Sequence, residues 1–425
     1  MPQGRRVATQ APAPFSGANP STVVISNDGD ILIQIKDTTT CTDHCYRCSR
    51  DVLHSASEYF NVLLDPVKFS EGIAIEARLQ DLTRQYNDSA AIPASELPKV
   101  VVSDVGALPE GCISTGTVVR LFFKILHDPS TSWPVLRAHS VNLIALLSIV
   151  ADRFACSNTI AEYLIRQGLE ITLLKDRKSA TTQEIELENR QRLLAGLFFG
   201  FPDWVRQCSA ALIVEASKRQ NSTEDEEREG EDALWWILPG GVEEELACRR
   251  NYVLDTLSSI QKHFINLYIS KQTQCRLGYS SSPQCDAYQL GEIIRFLCRK
   301  GRTLRIESAF DPAPEELEPY NGNLNDIIAK LKECPSYQID DNHTHCGART
   351  RLMPVLERLR PSFQVGICSG CWKEDKSKES WLENPTGGTW ANAGERFHGR
   401  GCRAHRDTKA MYTAVKRDWT PVYAL

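Results

Sequence analysis

The stretch Tyr46-Arg47-Cys48-Ser49-Arg50-Asp51-Val52-Leu53-His54-Ser55-Ala56-Ser57-Glu58-Tyr59-Phe60 decides the fold of the first third of the chain. From Ser49 onward, apolar residues recur at helical spacing, which predicts one helix with an apolar face. Ser49 is the expected N-cap, because its hydroxyl can accept a hydrogen bond from an otherwise unpaired amide. Tyr59 and Phe60 are expected to pack in the core. The face consists of Val52, Leu53, Ala56, Phe60 and Leu63.

Two short apolar runs precede this stretch and predict strands. Residues 23–25 and 31–35 are rich in β-branched side chains, and Asn27-Asp28-Gly29 between them favours a turn. Together they predict a β-hairpin. Further along, a third strand is expected at 100–102, and apolar spacing predicts helices around 118–126, 143–154 and 160–164.

The pattern as a whole predicts an α+β fold with a short sheet and a helical cluster first, and a mostly helical remainder. A chain of 425 residues is expected to hold two or three domains. Residues 1–20 are rich in Pro, Ala, Ser and Gly and are expected to lack fixed structure. The expected parts are a first domain at 21–168, a helical domain at 185–305 with a solvated acidic loop at 221–232, a helical Cys/His module at 306–372, and a polar C-terminal extension at 373–425.

Charge, hydropathy and cysteine content limit the classes of function. The net charge of −5 argues against nucleic-acid binding by the whole chain, because phosphate binding needs concentrated positive charge. No apolar run is long enough to span a membrane, and no apolar stretch follows the basic N-terminus, so neither membrane insertion nor secretion is expected. The 15 cysteines are then expected to be reduced thiols or metal ligands, in the cytoplasm or the nucleus.

The best candidate metal site lies in the last third of the chain. Cys368 and Cys371 form a Cys-x-x-Cys turn, whose two thiolates can reach one tetrahedral Zn²⁺ ion. The other ligands are expected from Cys334, His345 and Cys346, which lie before the intervening helix. Such zinc would be structural, because it would tie the two ends of that helix together. The alternative is that these cysteines are reduced and pack as small apolar residues.

Common enzyme signatures are missing from the sequence. It contains no phosphate loop ending in Gly-Lys-Ser/Thr, no Gly-x-Gly-x-x-Gly, no Gly-x-Ser-x-Gly elbow and no His-Glu-x-x-His. We therefore expect a protein without enzymatic activity.

The opening stretch resembles the core of a BTB/POZ domain. The shared features are an aromatic residue, an Arg, an apolar pair and Ser-x-Tyr-Phe, and the order of hairpin, helices, third strand and helical cluster is also similar. This resemblance implies a domain that binds other proteins. Asp30 and Arg50 match the acid and the Arg that form a charged partner-binding pocket in many such domains. Ser49 stands where a His commonly precedes that Arg, and Cys48 falls at an inward position of the core.

The remainder resembles uncharacterised BTB-domain proteins of filamentous fungi, which brings no known chemistry to the chain. The residues that carry this resemblance are Leu238-Pro239-Gly240-Gly241-Val242-Glu243-Glu244-Glu245-Leu246, Cys275-Arg276-Leu277-Gly278-Tyr279, Pro283-Gln284-Cys285-Asp286, His345-Cys346-Gly347, and Cys368-x-x-Cys371-Trp372-Lys373.

Other cysteines and histidines also have the spacing of metal ligands, but we predict that they do not bind a metal. His398, Cys402 and His405 have no fourth partner nearby, and we assign them to a solvated loop. The cysteines of the segment 41–48 are assigned to core packing. Cys275 and Cys285 flank a short loop, and packing is the default expectation, with a mutual disulfide or metal binding as alternatives.

The expected function is that of a non-enzymatic adaptor that binds other proteins through its BTB/POZ domain. Many relatives are substrate adaptors of cullin ubiquitin ligases, although residues 103–116 lack the apolar-x-acid signature of cullin-binding members. The resemblance also implies a homodimer formed through the BTB domain. The sequence, however, has no long amphipathic helix before the first strand, and in the family that helix stabilises the dimer. The alternative is a nuclear transcriptional regulator that binds co-regulators and carries a C-terminal Cys/His segment. That segment is only mildly basic, so nucleic-acid binding is not expected.

Overall fold

The computed structural model describes most of the chain, and the described residues form an α+β fold that is mostly helical, as expected. The predicted disordered segment, 1–20, and the predicted acidic loop, 221–232, lie outside the described residues. The described residues are 22–36, 43–86, 88–106, 108, 113–131, 140–169, 181–215, 217, 234–275, 277–278, 280–299, 320–359, 365–391 and 402–420.

A four-stranded sheet forms the first part of the protein. β2 (Ile31–Lys36) and β3 (Asp43–Cys48) pair antiparallel, and β4 (Lys99–Val102) runs parallel to β2. β1 (Thr22–Val24) runs parallel to β3, so the spatial order is β1-β3-β2-β4. The first five residues of β2 are all buried, as is typical of a strand covered on both faces.

The predicted hairpin between residues 23–25 and 31–35 is wrong. The turn at 27–28 is present, but β1 pairs with β3, and β3 pairs with β2. The hairpin partner of β2 is β3. All six residues of β3 pair with β2, whereas β1 is only three residues long and could form fewer backbone hydrogen bonds with it. Cys45 and Cys48 of β3 are buried, in agreement with the assignment of this segment to core packing.

The predicted single helix is two helices, α1 (Arg50–Ala56) and α2 (Glu58–Leu63). Ser57 separates them, because its hydroxyl accepts from the amide of Phe60 at 3.2 Å and donates to the carbonyl of Phe154 at 2.6 Å. Serine is common at helix caps because its side chain can hydrogen-bond to backbone groups that would otherwise pair within the helix.

An aromatic cluster forms the core behind these helices. Phe60 is fully buried and stacks on Phe154, with ring centroids 5.1 Å apart. Tyr59 meets both rings edge-on at 5.2 and 5.3 Å. Phe123 of α4 (Thr115–His127) completes the cluster, at 6.3 Å from Phe60. Tyr59 and Phe60 therefore pack as expected, in arrangements that aromatic pairs prefer.

The remaining described elements are mainly helical, and none of these helices is long and apolar enough to cross a membrane. Their bounds are α3 (Ser70–Gln85), α5 (Ser140–Arg153), α6 (Ser157–Arg166), α7 (Thr182–Phe199), α8 (Pro202–Glu215), α9 (Val242–Ile269), α10 (Ser282–Arg299), α11 (Leu324–Lys332), α12 (Ala348–Arg358), α13 (Ser369–Glu374), α14 (Lys376–Glu379) and α15 (Cys402–Thr413), with a parallel pair of short strands, β5 (Thr389–Ala391) and β6 (Lys416–Asp418).

The chain divides into two compact units. The first unit comprises 1–106, 113–132 and 153–159, and the second comprises 107–112, 133–152 and 160–425. Most of α5 therefore groups with the second unit, whereas the sequence pattern predicts one domain at 21–168. Ten of the 13 described side chains of α5 are buried, which is typical of a helix in the middle of a helical core.

The segment 373–425, predicted as a polar extension, contributes to the interior of the second unit. Trp381, Tyr412 and Trp419 are buried, and the rings of Trp381 and Tyr412 stack with centroids 5.6 Å apart. The indole of Trp419 donates to the hydroxyl of Ser259 in α9 at 3.0 Å. A few widely spaced aromatic residues thus attach an otherwise polar segment to the longest described helix.

Candidate metal centres

Four side chains in the last part of the chain converge on one point. Cys368, Cys371, Cys402 and His405 each offer one ligand atom, and these atoms lie within 4.8 Å of one another. These four residues are hereafter the C-terminal centre. Sulfur and imidazole nitrogen are the ligands that Zn²⁺ prefers in structural sites. The C-terminal centre could therefore hold a metal ion.

Cys368 and Cys371 reach the C-terminal centre from one short turn. Cys368 is the N-cap residue of α13, and its carbonyl accepts from the amide of Trp372 at 2.9 Å. Cys371 lies in the first turn of the same helix. The closed turn brings the two thiols together, which is the geometry that the Cys-x-x-Cys spacing predicts.

Cys402 and His405 reach the C-terminal centre from the first turn of α15. Residues three apart lie on one face of a helix, so both side chains can approach the same ion. Cys402 is exposed, whereas His405 is half-buried, and Nε2 of His405 also lies 3.9 Å from a carboxylate oxygen of Glu379.

Cys371 and His405 make the closest contact in the C-terminal centre, with Sγ 3.2 Å from Nε2. Burial, together with the thiols of Cys402 and Cys368, raises the pKa of Cys371 to about 12. Burial lowers the pKa of His405, which favours the neutral imidazole that a metal needs. Without a cation, the Cys371 thiol keeps its proton at neutral pH, and binding of a divalent cation would release that proton.

A buried ion pair in α9 positions the segment that leads into the C-terminal centre. Glu245 and Arg249 are joined at 2.7 Å, and both side chains are 1% exposed. Nη1 of Arg249 donates to the carbonyl oxygens of Val365 and Gly366 at 3.0 and 2.9 Å. These bonds hold the backbone immediately before Cys368, so the ligand turn begins from a rigid support.

The same ion pair positions the segment that follows the ligand turn. The carboxylate of Glu245 accepts from the hydroxyl of Ser380 at 2.7 Å and from the amide of Trp381 at 2.9 Å. Burial alone would raise the pKa of Glu245, but Arg249 and these donors hold it below its usual value. Nζ of Lys409 in α15 donates to the carbonyl of Ser380 at 2.9 Å, so α15 is fixed to the same segment.

The structure brings two of the five predicted ligands into the C-terminal centre. Cys368 and Cys371 are there, but their partners are Cys402 and His405, and the prediction that these two lie in a solvated loop is wrong. A signal for this pairing exists in the sequence, because Cys402-x-x-His405 repeats the two-residue gap of Cys368-x-x-Cys371. His398, which was predicted to lie in the same loop, is outside the described residues.

The other three predicted ligands lie elsewhere. Cys334 is fully buried, and His345 is exposed; in the described part of the chain neither belongs to a group of candidate ligands. Cys346 lies beside Cys275, with their sulfurs 3.7 Å apart. A single site across both ends of α12 does not form, because a helix of 11 residues separates its ends by about 16 Å.

The three predicted pocket residues lie together at the start of α1, and each of them forms a hydrogen bond within the first unit. Asp30 accepts from the amide of Arg50 at 2.7 Å, and the guanidinium of Arg50 pairs with Glu76 at 2.6 Å. Ser49 stands at the N-cap position without a side-chain cap bond, and its amide donates to Nε2 of His127 at 3.0 Å. Asp30 therefore performs the capping predicted for Ser49, and burial raises the pKa of Asp30.

Comparison with known proteins finds no match for this chain. No protein-family model matches it, and neither does any curated protein or any solved structure. The BTB/POZ resemblance therefore rests on the residues of the chain alone.

Proposed function

We propose that the protein is a non-enzymatic adaptor that docks on a cullin-type scaffold of a ubiquitin ligase through its first unit. The observation that carries this proposal is a set of exposed apolar side chains that runs from the last turn of α2 to the first turn of α3. Val62, Val67, Phe69 and Ile73 are 39%, 82%, 44% and 52% exposed, and are hereafter the docking segment. Exposed apolar side chains grouped in this way are typical of protein-interaction sites.

The docking segment has a fixed backbone. Gly72 lies so close to Asp65 that a Cβ at this position would come within 2.1 Å of the Asp65 carbonyl oxygen. The amide of Ile73 donates to the carbonyl of Phe69 at 3.1 Å, and the amide of Val67 donates to the side chain of Asp65 at 2.9 Å. A preorganised apolar surface loses little conformational freedom when a partner covers it, which favours its use for binding.

The order of elements in the first unit supports the same proposal. An antiparallel pair, β2 and β3, is followed by helices, then by β4 parallel to β2, and then by α4. This is the order expected of a BTB/POZ domain. The second unit would then hold a substrate, and joining two contacts in one chain raises their effective concentration.

The metal proposed for the C-terminal centre is zinc, in a structural role. Three thiolates and one imidazole would fill all four positions of a tetrahedral ion. No position would then be left for a substrate, which agrees with an adaptor rather than a metalloenzyme. The ion would join α13 to α15 and so stabilise the polar C-terminal segment.

Affinity capture from native extract, read by mass spectrometry, tests the adaptor proposal. The full chain is compared with the double variant Val67→Asp/Phe69→Asp and with the control Val415→Asp. Val415 suits this purpose because it is 78% exposed, close to the 82% of Val67, and lies in the second unit. Cullin and ubiquitin-ligase subunits should be recovered with the wild type and the control, and lost from the double variant.

Two other results would count against this proposal. Recovery of chromatin or co-repressor proteins in place of cullin would favour the alternative, a transcriptional regulator. An unchanged set of partners in the double variant would show that the docking segment is not the binding surface.

A further inference from the structure

A second group of candidate ligands lies at the opposite end of α9 from the Glu245–Arg249 pair. Cys275 follows α9, Cys285 lies in the first turn of α10, and His343 ends a short 3₁₀ turn at Asp341–His343. The ligand atoms of these three residues lie within 4.8 Å of one another. Two neighbouring segments and a third, 58 residues further along the chain, thus meet at one point.

Cys346 lies beside these three residues, on the side of Cys275 and Cys285. Its sulfur lies 3.7 Å from that of Cys275, and the thiol of Cys285 interacts with both. Two thiolates on a tetrahedral Zn²⁺ ion, each at about 2.3 Å, would lie about 3.8 Å apart. The spacing of the Cys275 and Cys346 sulfurs therefore fits two ligands of one ion.

The imidazole of His343 is oriented as metal-binding imidazoles are. Its Nδ1 lies 2.7 Å from a carboxylate oxygen of Asp340, so Nδ1 carries the proton that this bond needs. The side chain is 2% exposed, its buried Nε2 has no well-formed hydrogen bond, and the imidazole interacts with the thiol of Cys275. A buried nitrogen lone pair next to thiols is costly unless something binds it, and a metal ion would do so.

The surrounding backbone holds these ligands in place. The carboxylate of Asp286 accepts from the amides of Gln274 and Cys275 at 2.7 and 2.9 Å. The hydroxyl of Tyr268, in the last turn of α9, donates to the carbonyl of Cys346 at 3.0 Å. These hydrogen bonds fix the backbone at Cys275 and Cys346, so the cysteines are held in position by the fold.

We propose that Cys275, Cys285, Cys346 and Nε2 of His343 bind a second structural zinc ion, with Asp340 as the residue that positions His343. On binding, the thiols lose their protons to solvent and the imidazole keeps its proton on Nδ1. The ion joins the start of α10 and the segment before α12 to the end of α9. These four residues are hereafter the second centre, and the proposal does not depend on the adaptor function.

Metal analysis of the purified full chain tests this proposal. Under reducing conditions the wild type should hold two zinc ions per chain. Cys285→Ser removes a ligand of the second centre and should leave one ion, and Cys371→Ser removes a ligand of the C-terminal centre and should also leave one. Cys334→Ser is the control, because Cys334 is equally buried and belongs to neither centre, so it should keep both ions.

The two centres can fail separately in this experiment. A wild type with one ion that survives in Cys285→Ser and is lost in Cys371→Ser would overturn the second centre and leave the C-terminal centre intact. The reverse pattern would support the second centre and overturn the C-terminal one. A disulfide between Cys275 and Cys346 that persists in protein purified under reducing conditions, with no metal at the second centre, would also overturn the proposal.

Cobalt substitution reports on the ligands themselves, because the visible absorption of bound Co²⁺ depends on how many of them are sulfur. His343→Cys should retain two Co²⁺ ions and shift the visible absorption to longer wavelength, because sulfur replaces nitrogen. An unchanged cobalt spectrum would show that His343 is not a ligand. Asp340→Asn should keep the same spectrum and weaken binding at the second centre by roughly 10–100-fold, as loss of an orienting carboxylate does. Unaltered affinity would overturn the role of Asp340.

Discussion

Glu245 and Arg249 form an ion pair in which both side chains are 1% exposed, and its free hydrogen-bonding groups bind backbone on both sides of the Cys368–Cys371 turn. Buried charges are stable only when their partners are complete. The pair therefore couples α9 to the C-terminal centre, and removal of one partner should affect both.

Arg249→Met should lower the free energy of unfolding of the second unit by about 3–5 kcal/mol, because Glu245 would remain as an uncompensated buried charge. Arg295→Met is the control, since Arg295 pairs with Glu292 at the surface and its side chain is 60% exposed. Such surface pairs contribute about 0–1 kcal/mol. Tryptophan fluorescence in urea measures both variants, because every described tryptophan lies in the second unit. Equal midpoints for the two variants would contradict the role assigned to the pair.

Phe60→Ala should destabilise the first unit by about 3–5 kcal/mol, because it removes a fully buried ring from the aromatic cluster. Phe69→Ala, at a side chain that is 44% exposed, should change stability by no more than about 0.5 kcal/mol. Thermal melts followed by circular dichroism compare the two. A melt of Phe60→Ala that matches the wild type would contradict the placement of α2 against the core.

The stability of the first unit should fall as the pH drops below about 6.5. Burial lowers the pKa of His127, whose Nε2 accepts from the amide of Ser49 at 3.0 Å. The unfolded chain therefore takes up a proton at a higher pH than the folded chain does. The stabilisation from neutral His127 is complete above the unfolded value and is lost as the pH falls through the folded one. His127→Gln should show a weaker dependence on pH between 7.5 and 5.

His54→Gln is the matched control for this measurement, because His54 is exposed on α1. It should keep the wild-type dependence on pH. Parallel curves for the wild type and His127→Gln would contradict the buried, neutral state of His127.

Removal of metal by a strong chelator in reducing buffer should lower the melting temperature of the second unit, because metal binding to the folded state contributes directly to folding free energy. The wild type should show this shift in tryptophan fluorescence, and readdition of Zn²⁺ should reverse it. Metal affinity at the C-terminal centre should decrease as the pH falls, since burial raises the pKa of Cys371 to about 12 and protons compete for its sulfur. A melting temperature that does not change when the chelator is added would contradict a structural role for the metal.

The sequence predicted those parts of the fold that depend on local patterns. The residues of β2 were recognised because an apolar, β-branched run is a local signal. β3 was missed, because Asp43, His44 and Arg47 make it look polar, and its strand conformation depends on pairing with β2. The break at Ser57 depends on a bond to Phe154, which is 97 residues away.

The metal centres show the same limit. The turn of Cys368 and Cys371 was predicted because both ligands lie in four consecutive residues. Their partner His405 is 34 residues from Cys371, and the folded chain between them decides the pairing. His343 lies in the same short Cys/His stretch as His345 and Cys346, and only the folded structure, through Asp340 and the burial of Nε2, distinguishes it from His345 as the candidate ligand.

Zinc-edge X-ray absorption spectroscopy of the purified full chain tests the zinc-stabilised structure most directly. Both centres have the same ligand set, so the average zinc should have three sulfur neighbours at about 2.3 Å and one nitrogen neighbour at about 2.0–2.1 Å. A coordination shell of oxygen and nitrogen without sulfur would contradict both centres.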